Sequence, residues 1–236
     1  ELGELYSAYE QNRPPKLTHL DIQYADYAIW QRNYLQGELL NEKIIYWKDR
    51  LLGVSPLQLP TDYPRPAVQS RKGAMAQFSF SEELSGQLRV LSQQQGTTLF
   101  MTLLTAFKVL LHRYSGQQDI CVGTPIAGRQ QQELEGLIGF FVNTLALRSD
   151  VNGDASFTDL LQQVKTTTLE GYEHQDAPFE KVLDLLVRER DMSRSPLFQV
   201  LFTLQNTLEV PELRLGELQL SSEGYKHTTT QFDMVL

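Results

Sequence analysis

The segment from Leu99 to Leu111 constrains the fold most strongly, because apolar side chains cover most of the circumference of the helix that it predicts. Thr97 or Thr98 can cap the first turn, and His112 is expected to satisfy carbonyls at the far end. The segment is shorter than the roughly 20 apolar residues that span a bilayer. We therefore expect a buried helix that other elements enclose.

Strands and helices alternate from residue 74 onward. Helices are predicted after Ser81, from Thr98, from Ser156 and from Pro178, where a capping residue or a proline precedes an apolar periodicity. Strands are predicted at residues 74–80, 120–124, 137–148, 197–204, 213–220 and 232–236. This alternation predicts an α/β fold with a layered sheet, which by itself names no chemistry.

Two segments of different amino-acid composition precede this region. Residues 21–52 are helical in character, with an interruption near Gly37, and the spacing of Tyr27 and Trp30 favours core packing over substrate contact. Four prolines then fall between residues 56 and 66, a density that no helix or central strand tolerates. These changes divide the chain into residues 1–52, a linker or crossing segment at 53–73, and residues 74–236.

Charge and cysteine content narrow the class of protein. The formal net charge is −8, and no run of Lys or Arg offers the clustered positive charge that nucleic acids require. The single Cys121 lies in an apolar run and is expected to be a buried small hydrophobe. One thiol forms no intrachain disulfide, and the sequence shows no signal peptide, so we expect a cytoplasmic protein that is not bound to a membrane.

Asn143 lies within the apolar segment Leu137–Arg148. A buried carboxamide without partners costs about 1 to 3 kcal/mol, so this side chain needs a structural or a functional explanation. In one hypothesis it ties a neighbouring backbone in place. In the other its amide faces a channel and meets a polar substrate.

Two connecting segments carry the remaining candidate polar residues, Arg129 and the run from His174 to Asp176. For His174, a capping or loop-fixing hydrogen bond is favoured over catalysis, because it lies between two predicted helices. For Arg129, an ion pair with Glu133 or another acid is favoured over a contact with a phosphate.

Four motifs occur in order along the chain. They are Ile-Gln-Tyr-Ala-Asp-Tyr-Ala-Ile-Trp-Gln at 22–31, Ile-Gly-Phe-Phe-Val-Asn-Thr at 138–144, His-Gln-Asp-Ala-Pro-Phe-Glu at 174–180 and Arg-Asp-Met-Ser-Arg-Ser-Pro-Leu-Phe-Gln-Val at 190–200. In this order and at these separations they closely resemble the later core motifs of the condensation domain of nonribosomal peptide synthetases. The resemblance extends over essentially the whole chain.

The resemblance implies a two-lobed domain in which each lobe is similar to chloramphenicol acetyltransferase and a tunnel separates the lobes. Residues 1–52 would end the first lobe, and residues 74–236 would form most of the second. Family members join a donor acyl thioester to the amine of an acceptor aminoacyl thioester. The 4′-phosphopantetheine arms of upstream and downstream peptidyl carrier proteins supply both substrates, and an adenylation domain is expected in the same polypeptide.

The family's catalytic signature, His-His-x-x-x-Asp-Gly, does not occur among the four histidines of this chain. In the family it lies shortly before a Glu-Leu-x-x-Leu-Tyr pattern, which here is Glu1–Tyr6. We therefore expect the signature just upstream, and we expect this chain to be about half of a condensation domain that is inactive and poorly stable alone.

The resemblance also implies six substrate-binding residues. It implies no catalytic residue within this chain and no metal ligand. They are Arg129, Asn143, His174, Gln175, Asp176 and Ser195. Ser195 stands where the family often has Asn, and its hydroxyl lacks the reach of an amide.

Two alternatives remain open. One is an enzyme of the same fold that epimerises a carrier-bound residue, or forms an ester or a heterocycle. The other is a non-catalytic docking domain that recruits carrier proteins or other partners. The mass of the product would distinguish amide formation from the other reactions. The docking-domain hypothesis holds only if the complete protein lacks the paired histidines and still binds a carrier protein.

Overall fold

The computed structural model describes residues 1–187, 191–205, 214–215, 218–220 and 228–236. Its helices are α1 (Leu2–Glu10), α2 (Tyr24–Tyr34), α3 (Gly37–Leu51), α4 (Glu82–Gln94), α5 (Leu99–Ser115), α6 (Phe157–Glu173) and α7 (Phe179–Leu186). Its strands are β1 (Asp119–Ile126), β2 (Asn143–Asp150), β3 (Val200–Leu201), β4 (Arg214–Leu215), β5 (Leu218–Gln219) and β6 (Met234–Val235). A 3-10 turn lies at Gln132–Leu134.

A mixed sheet with the strand order β2-β1-β3-β6 forms the centre of the fold. Strands β1 and β2 are antiparallel, from Asp119 opposite Asp150 to Ile126 opposite Asn143. Strand β3 runs parallel to β1, and β6 runs parallel to β3. Strands β4 and β5 form a separate antiparallel pair. The predicted α/β class with a layered sheet is confirmed.

Helix α5 is the enclosed helix that the apolar pattern predicts. The Thr98 hydroxyl caps its first turn by accepting the Met101 N–H at 3.2 Å, and Gly116 ends it in the left-handed conformation. His112 lies with Nδ1 2.8 Å from the Gln117 carbonyl and so fixes the exit from the helix. The buried residues of α5 are Met101, Thr102, Leu104, Thr105, Phe107, Lys108 and Leu111.

The other predicted helix starts are confirmed as well. The Ser81 hydroxyl accepts the Leu84 N–H at 3.2 Å and caps α4. Ser156 and Asp159 form a reciprocal capping box at the start of α6, and α7 begins directly after Pro178. Short polar side chains placed before an apolar periodicity therefore locate these helices correctly.

Lys108 and Cys121 are both buried in the hydrophobic core. The Lys108 ammonium group donates to the Leu147 carbonyl at 2.9 Å and to the Ser149 hydroxyl at 2.6 Å. Burial lowers the pKa of Lys108 to about 7 and raises the pKa of the Cys121 thiol to about 12. The prediction that Cys121 is a buried small hydrophobe is confirmed.

The strand predicted at residues 74–80 is wrong. These residues pair with no strand among those that the structure describes, and Met75, Phe78 and Phe80 are exposed. An apolar alternation forms a strand only beside a partner with free backbone groups. The adjoining Lys72 makes a single bridge to Thr229.

The strand predicted at residues 137–148 begins later, at Asn143. Residues 137–142 pack against helix α2 instead of pairing in the sheet. Leu137 and Phe141 are buried beside Tyr27, and the Tyr24 hydroxyl donates to the Phe140 carbonyl at 2.9 Å. Contacts with α2 therefore replace the ladder bonds that a longer strand would make.

The C-terminal strands are shorter than predicted. Residues 197–204 contribute only the pair in β3, because Leu197 has a φ of 63° and the Phe198 N–H donates to the Pro196 carbonyl in a turn. Strand β6 lies within the predicted strand at 232–236. Strands β4 and β5 fall in the predicted strand at 213–220, whose residues 213, 216 and 217 are outside the described part of the chain.

Helices α2 and α3 pack directly on the rest of the chain. Trp47 of α3 lies in the main hydrophobic core, and α3 contacts α7 and β2. Tyr27 of α2 is buried as predicted. The prediction of core packing is wrong for Trp30, which is half exposed and stacks on Tyr34 with ring centroids 5.0 Å apart.

The proline-rich segment at residues 53–73, described throughout, contains no helix and is held against residues 228–233. Arg65 binds both carboxylate oxygens of Asp233, and the Gly73 N–H donates to the Thr228 carbonyl at 2.8 Å. That these residues cross between two lobes stays a prediction. None of the helices in the described part of the chain is long and apolar enough to cross a membrane.

Candidate functional site

Asn143, the first residue of β2, is hydrogen-bonded to the α6–α7 loop (residues 174–177). Its Nδ2 donates to the carbonyls of Gln175 and Ala177, each at 2.8 Å, and its Oδ1 accepts the Phe179 N–H at 3.2 Å. Phe179 opens α7, where backbone N–H groups lack helical partners. Asn143 therefore ties a neighbouring backbone in place, as the first hypothesis states, whereas a substrate contact stays a prediction.

The α6–α7 loop closes the carboxyl end of α6, whose last carbonyls also lack helical partners. Nδ1 of His174 lies 2.9 Å from the Glu170 carbonyl. From helix α3, Trp47 donates through Nε1 to the His174 carbonyl at 2.9 Å, and the Lys43 ammonium donates to the Glu173 carbonyl at 2.9 Å. The prediction that His174 caps a helix is confirmed, and the positive charge of Lys43 matches the helix dipole.

The neighbouring aromatic and amide side chains fix the loop further. The rings of Tyr46 and His174 stack with centroids 3.8 Å apart. Burial, followed by the negative charge of Glu170, raises the pKa of Tyr46 to about 12, so the phenol is neutral at physiological pH. The Gln175 amide donates to the Tyr172 carbonyl at 2.7 Å.

Asp176 is held from two sides. Its Oδ1 accepts the amide N–H of Gln130 at 3.0 Å, and its Oδ2 lies 3.4 Å from the Lys43 ammonium. Burial and then the negative charge of Asp176 raise the pKa of Tyr27. The carboxylate is part of a cluster assembled from α3, the connection after β1 and the α6–α7 loop.

Arg129 meets backbone carbonyls and an aromatic ring. Its guanidinium donates to the Leu134 carbonyl and, at 3.5 Å, to the Glu135 carbonyl. The same group lies 4.1 Å from the centroid of the Phe141 ring, a cation–π contact. The predicted ion pair with Glu133 or another acid is therefore wrong among the described residues, since Nη1 of Arg129 donates to backbone carbonyls instead.

The segment before Asn143 turns alternate side chains outward. Ile138, Phe140 and Val142 are exposed, whereas Phe141 between them is buried. A Cβ atom on Gly139 would lie 2.1 Å from the Tyr24 ring, so the close contact with α2 requires glycine there. The segment thus presents an apolar surface directly beside the Asn143 cluster.

Ser195 does not join this cluster. Its hydroxyl donates to the Gln231 carbonyl at 3.0 Å, and its carbonyl accepts the Gln199 amide at 2.7 Å. It lines a separate cavity of about 820 Å³ together with Arg194 and Leu197. The structure thus brings together four of the six predicted residues, Asn143, His174, Gln175 and Asp176, whereas Arg129 contacts Phe141 and Ser195 lies in a separate cavity.

Three residues of the cluster were not predicted from the sequence: Lys43, Trp47 and Gln130. Trp47 belongs to an aromatic helical face that sequence reasoning assigns to a core, but its hydrogen bond to His174 spans 127 positions. Lys43 and Gln130 have no local pattern that distinguishes them from other polar residues. Within the described residues, no group of three or more His, Cys, Asp or Glu side chains is arranged to hold a metal ion.

Comparison with known proteins identifies the family. The condensation-domain family model matches residues 1–236. The chain belongs to the condensation-domain family of nonribosomal peptide synthetases. It is 52% identical over 238 residues to a linear gramicidin synthase polypeptide of Brevibacillus parabrevis and 45% identical over 238 residues to a plipastatin synthase polypeptide of Bacillus subtilis. It covers 5% and 9% of these two relatives, so it is similar to one small part of each synthetase.

Solved structures agree with this family and with the chloramphenicol acetyltransferase-like fold. The X-domain from teicoplanin biosynthesis superposes with a TM-score of 0.85 at 29% identity, over 99% of this chain and 53% of that one. A four-domain nonribosomal peptide synthetase bound to AMP and glycine superposes with a TM-score of 0.69 at 34% identity, over 73% of this chain and 13% of that one.

Proposed function

We propose that this chain is part of a condensation domain that forms an amide bond between two carrier-bound substrates. The family match over residues 1–236 carries the proposal. The Asn143 cluster supports it, because the Asn-Thr and His-Gln-Asp motifs are hydrogen-bonded to each other at one end of the sheet.

The chemistry requires little beyond placement of the two substrates. The acceptor amine attacks the donor thioester carbonyl, a C–N bond forms, the C–S bond breaks, and the amine proton ends on the departing thiolate. Because a thioester is already activated, an enzyme accelerates this reaction mainly by holding both reactants in line and by managing one proton.

Within this scheme the described residues bind and orient substrate. Arg129, Asn143, His174, Gln175 and Asp176 would form a wall of the substrate tunnel. Ser195 would contribute from its own cavity, and the proton would be handled by a His-His-x-x-x-Asp-Gly signature encoded upstream. Residues 1–52 would then end the first lobe, 53–73 cross between lobes, and 74–236 form most of the second.

The proposed partners follow from the same scheme. Upstream and downstream peptidyl carrier proteins would deliver the donor and the acceptor on 4′-phosphopantetheine arms, with an adenylation domain in the same cytoplasmic polypeptide. The relatives are large synthetases, and this chain spans 3 to 5% of the gramicidin synthase polypeptides. The isolated chain would therefore lack turnover.

A second candidate is a non-catalytic domain that binds a partner protein. Its support is the superposition on the X-domain, which has also been solved in complex with OxyB, with a TM-score of 0.84 and 30% identity. This candidate predicts binding of a partner without a chemical product.

The test uses the complete synthetase polypeptide that contains this chain, supplied with one carrier protein loaded with a donor and another loaded with an acceptor. Mass spectrometry of the acceptor carrier should show the donor acyl group added through an amide. An unchanged mass with inverted stereochemistry, an ester, or a further loss of water would point to the alternative enzymes. A carrier that binds without any product, together with a coding sequence lacking the paired histidines upstream, would support the docking domain.

A further inference from the structure

The Asp176 carboxylate is oriented by two partners that come from distant parts of the chain. Gln130 holds one oxygen at 3.0 Å, and Lys43 lies 3.4 Å from the other. A carboxylate with both oxygens engaged has little freedom to rotate, yet its side chain remains 30% exposed. An oriented and accessible carboxylate is suited to accept a hydrogen bond from a ligand.

Lys43 is itself fixed in place. Its ammonium donates to the Glu173 carbonyl at 2.9 Å, and its side chain is only 13% exposed. On the same helix, Arg50 pairs with Glu170 near the surface, where its side chain is 48% exposed. Screening by water makes the outer pair weak, whereas the inner pair keeps more of its electrostatic energy.

The surroundings of Asp176 are suited to a pantetheine arm or an aminoacyl group. The ring of Tyr27 lies 4.8 Å from the Phe141 ring, and burial and then the negative charge of Asp176 raise the pKa of this tyrosine. The exposed apolar side chains of Phe140 and Val142 adjoin this group in sequence. Exposed apolar side chains in one segment and an oriented acceptor in the next match a flexible ligand that carries both methylene and N–H groups.

Building on the proposed function, we infer that Lys43 and Gln130 are positioning residues that present the Asp176 carboxylate to an N–H group of the carrier-bound acceptor. Lys43 supplies the positive charge that orients the carboxylate, and it acts only through Asp176. Gln130 fixes the second oxygen. Asp176 itself makes the contact with the substrate.

The probe is an acceptor carrier protein bearing alanine on an amino analogue of pantetheine, whose amide cannot transfer. Its dissociation constant is measured by titration calorimetry against the complete synthetase polypeptide. Lys43→Gln keeps a donor for the Glu173 carbonyl but removes the charge, and Asp176→Asn removes the carboxylate. Each variant should weaken binding about tenfold, and the double variant should bind no worse than Asp176→Asn.

The matched control is Arg50→Gln, which removes a cation from the same helix and should leave the dissociation constant within about twofold of the wild type. Lys43→Arg should restore most of the affinity. Thermal unfolding of each variant shows whether a loss of affinity occurs at unchanged stability, which a purely structural role of Lys43 does not predict.

The inference is overturned if Lys43→Gln binds as well as Arg50→Gln, if the two losses multiply in the double variant, or if the wild type does not bind the probe. Failure of the proposed function is a separate result. A wild type that binds this probe tightly but forms no amide from the matching thioesters contradicts amide formation and leaves the role of Lys43 supported.

Discussion

The indole of Trp47 donates a 2.9 Å hydrogen bond to the carbonyl of His174. The family resemblance predicts that the helix of Trp47 ends the first lobe and that the motif of His174 belongs to the second. The bond satisfies a carbonyl at the end of α6 from outside that helix. The N-terminal helices are thus part of the structure that sets the position of the His-Gln-Asp motif.

Replacing Trp47 by Phe should destabilise the fold by about 2 to 3 kcal/mol. The smaller ring leaves a cavity in the core, and the His174 carbonyl loses its donor. Urea unfolding measures the loss. Trp30→Phe is the matched control and should cost less than about 0.5 kcal/mol, because Trp30 is half exposed. Equal losses in the two variants would contradict this role of Trp47.

Gly139→Ala should destabilise the fold by about 1 to 3 kcal/mol, since the new methyl group would meet the Tyr24 ring at 2.1 Å. Gly86→Ala is the control, because its Cβ would meet nothing within 4 Å in the middle of α4. That change should stabilise the helix by up to about 1 kcal/mol. Opposite signs in the two unfolding experiments are expected, and a neutral Gly139→Ala would disprove the close contact with α2.

The contribution of Lys108 to the stability of the protein should rise between pH 7 and pH 10. Burial lowers the pKa of its amine from 10.5 to about 7. In this range the unfolded chain therefore binds a proton that the folded chain has released, and raising the pH favours the folded state. Well below pH 7 both states are protonated and the effect is constant.

Lys108→Met removes this titration. The unfolding free energy of the wild type should gain about 2 to 4 kcal/mol relative to the variant between pH 7 and pH 10, measured by urea unfolding at each pH. Since the variant also leaves the Leu147 carbonyl without its Lys108 donor, its absolute stability is not the test. A difference between the two proteins that stays constant with pH would refute the assignment.

The sequence predicts the helices of this fold well, for a physical reason. Capping residues such as Ser81, Thr98 and Ser156 act within one turn, and the apolar periodicity of α5 directly indicates enclosure. Strands depend on partners elsewhere in the chain. The sequence therefore predicts a strand at residues 74–80, although these residues have no partner among the described residues. Residues 137–142 pack on α2 instead of pairing in the sheet.

In the candidate site too, local patterns can be predicted from the sequence whereas contacts between distant residues cannot. The motifs identify Asn143 and the α6–α7 loop, but no local pattern predicts that Asn143 would bond to the loop 32 and 34 positions away. The sequence favours an ion pair between Arg129 and an acid. In the fold its guanidinium instead contacts backbone carbonyls and the Phe141 ring. No local pattern indicates Lys43, because its partner Asp176 is far away in sequence.

The role of Asn143 as the support of the α6–α7 loop is tested most directly by hydrogen exchange. Exchange of the Phe179 amide is measured by NMR in the wild type and in Asn143→Ala, with Asn152→Ala as a control in an exposed turn. Asn143→Ala should lose most of the protection at Phe179 while strand β1 stays protected, and Asn152→Ala should change neither. Unchanged protection at Phe179 in Asn143→Ala would contradict this role.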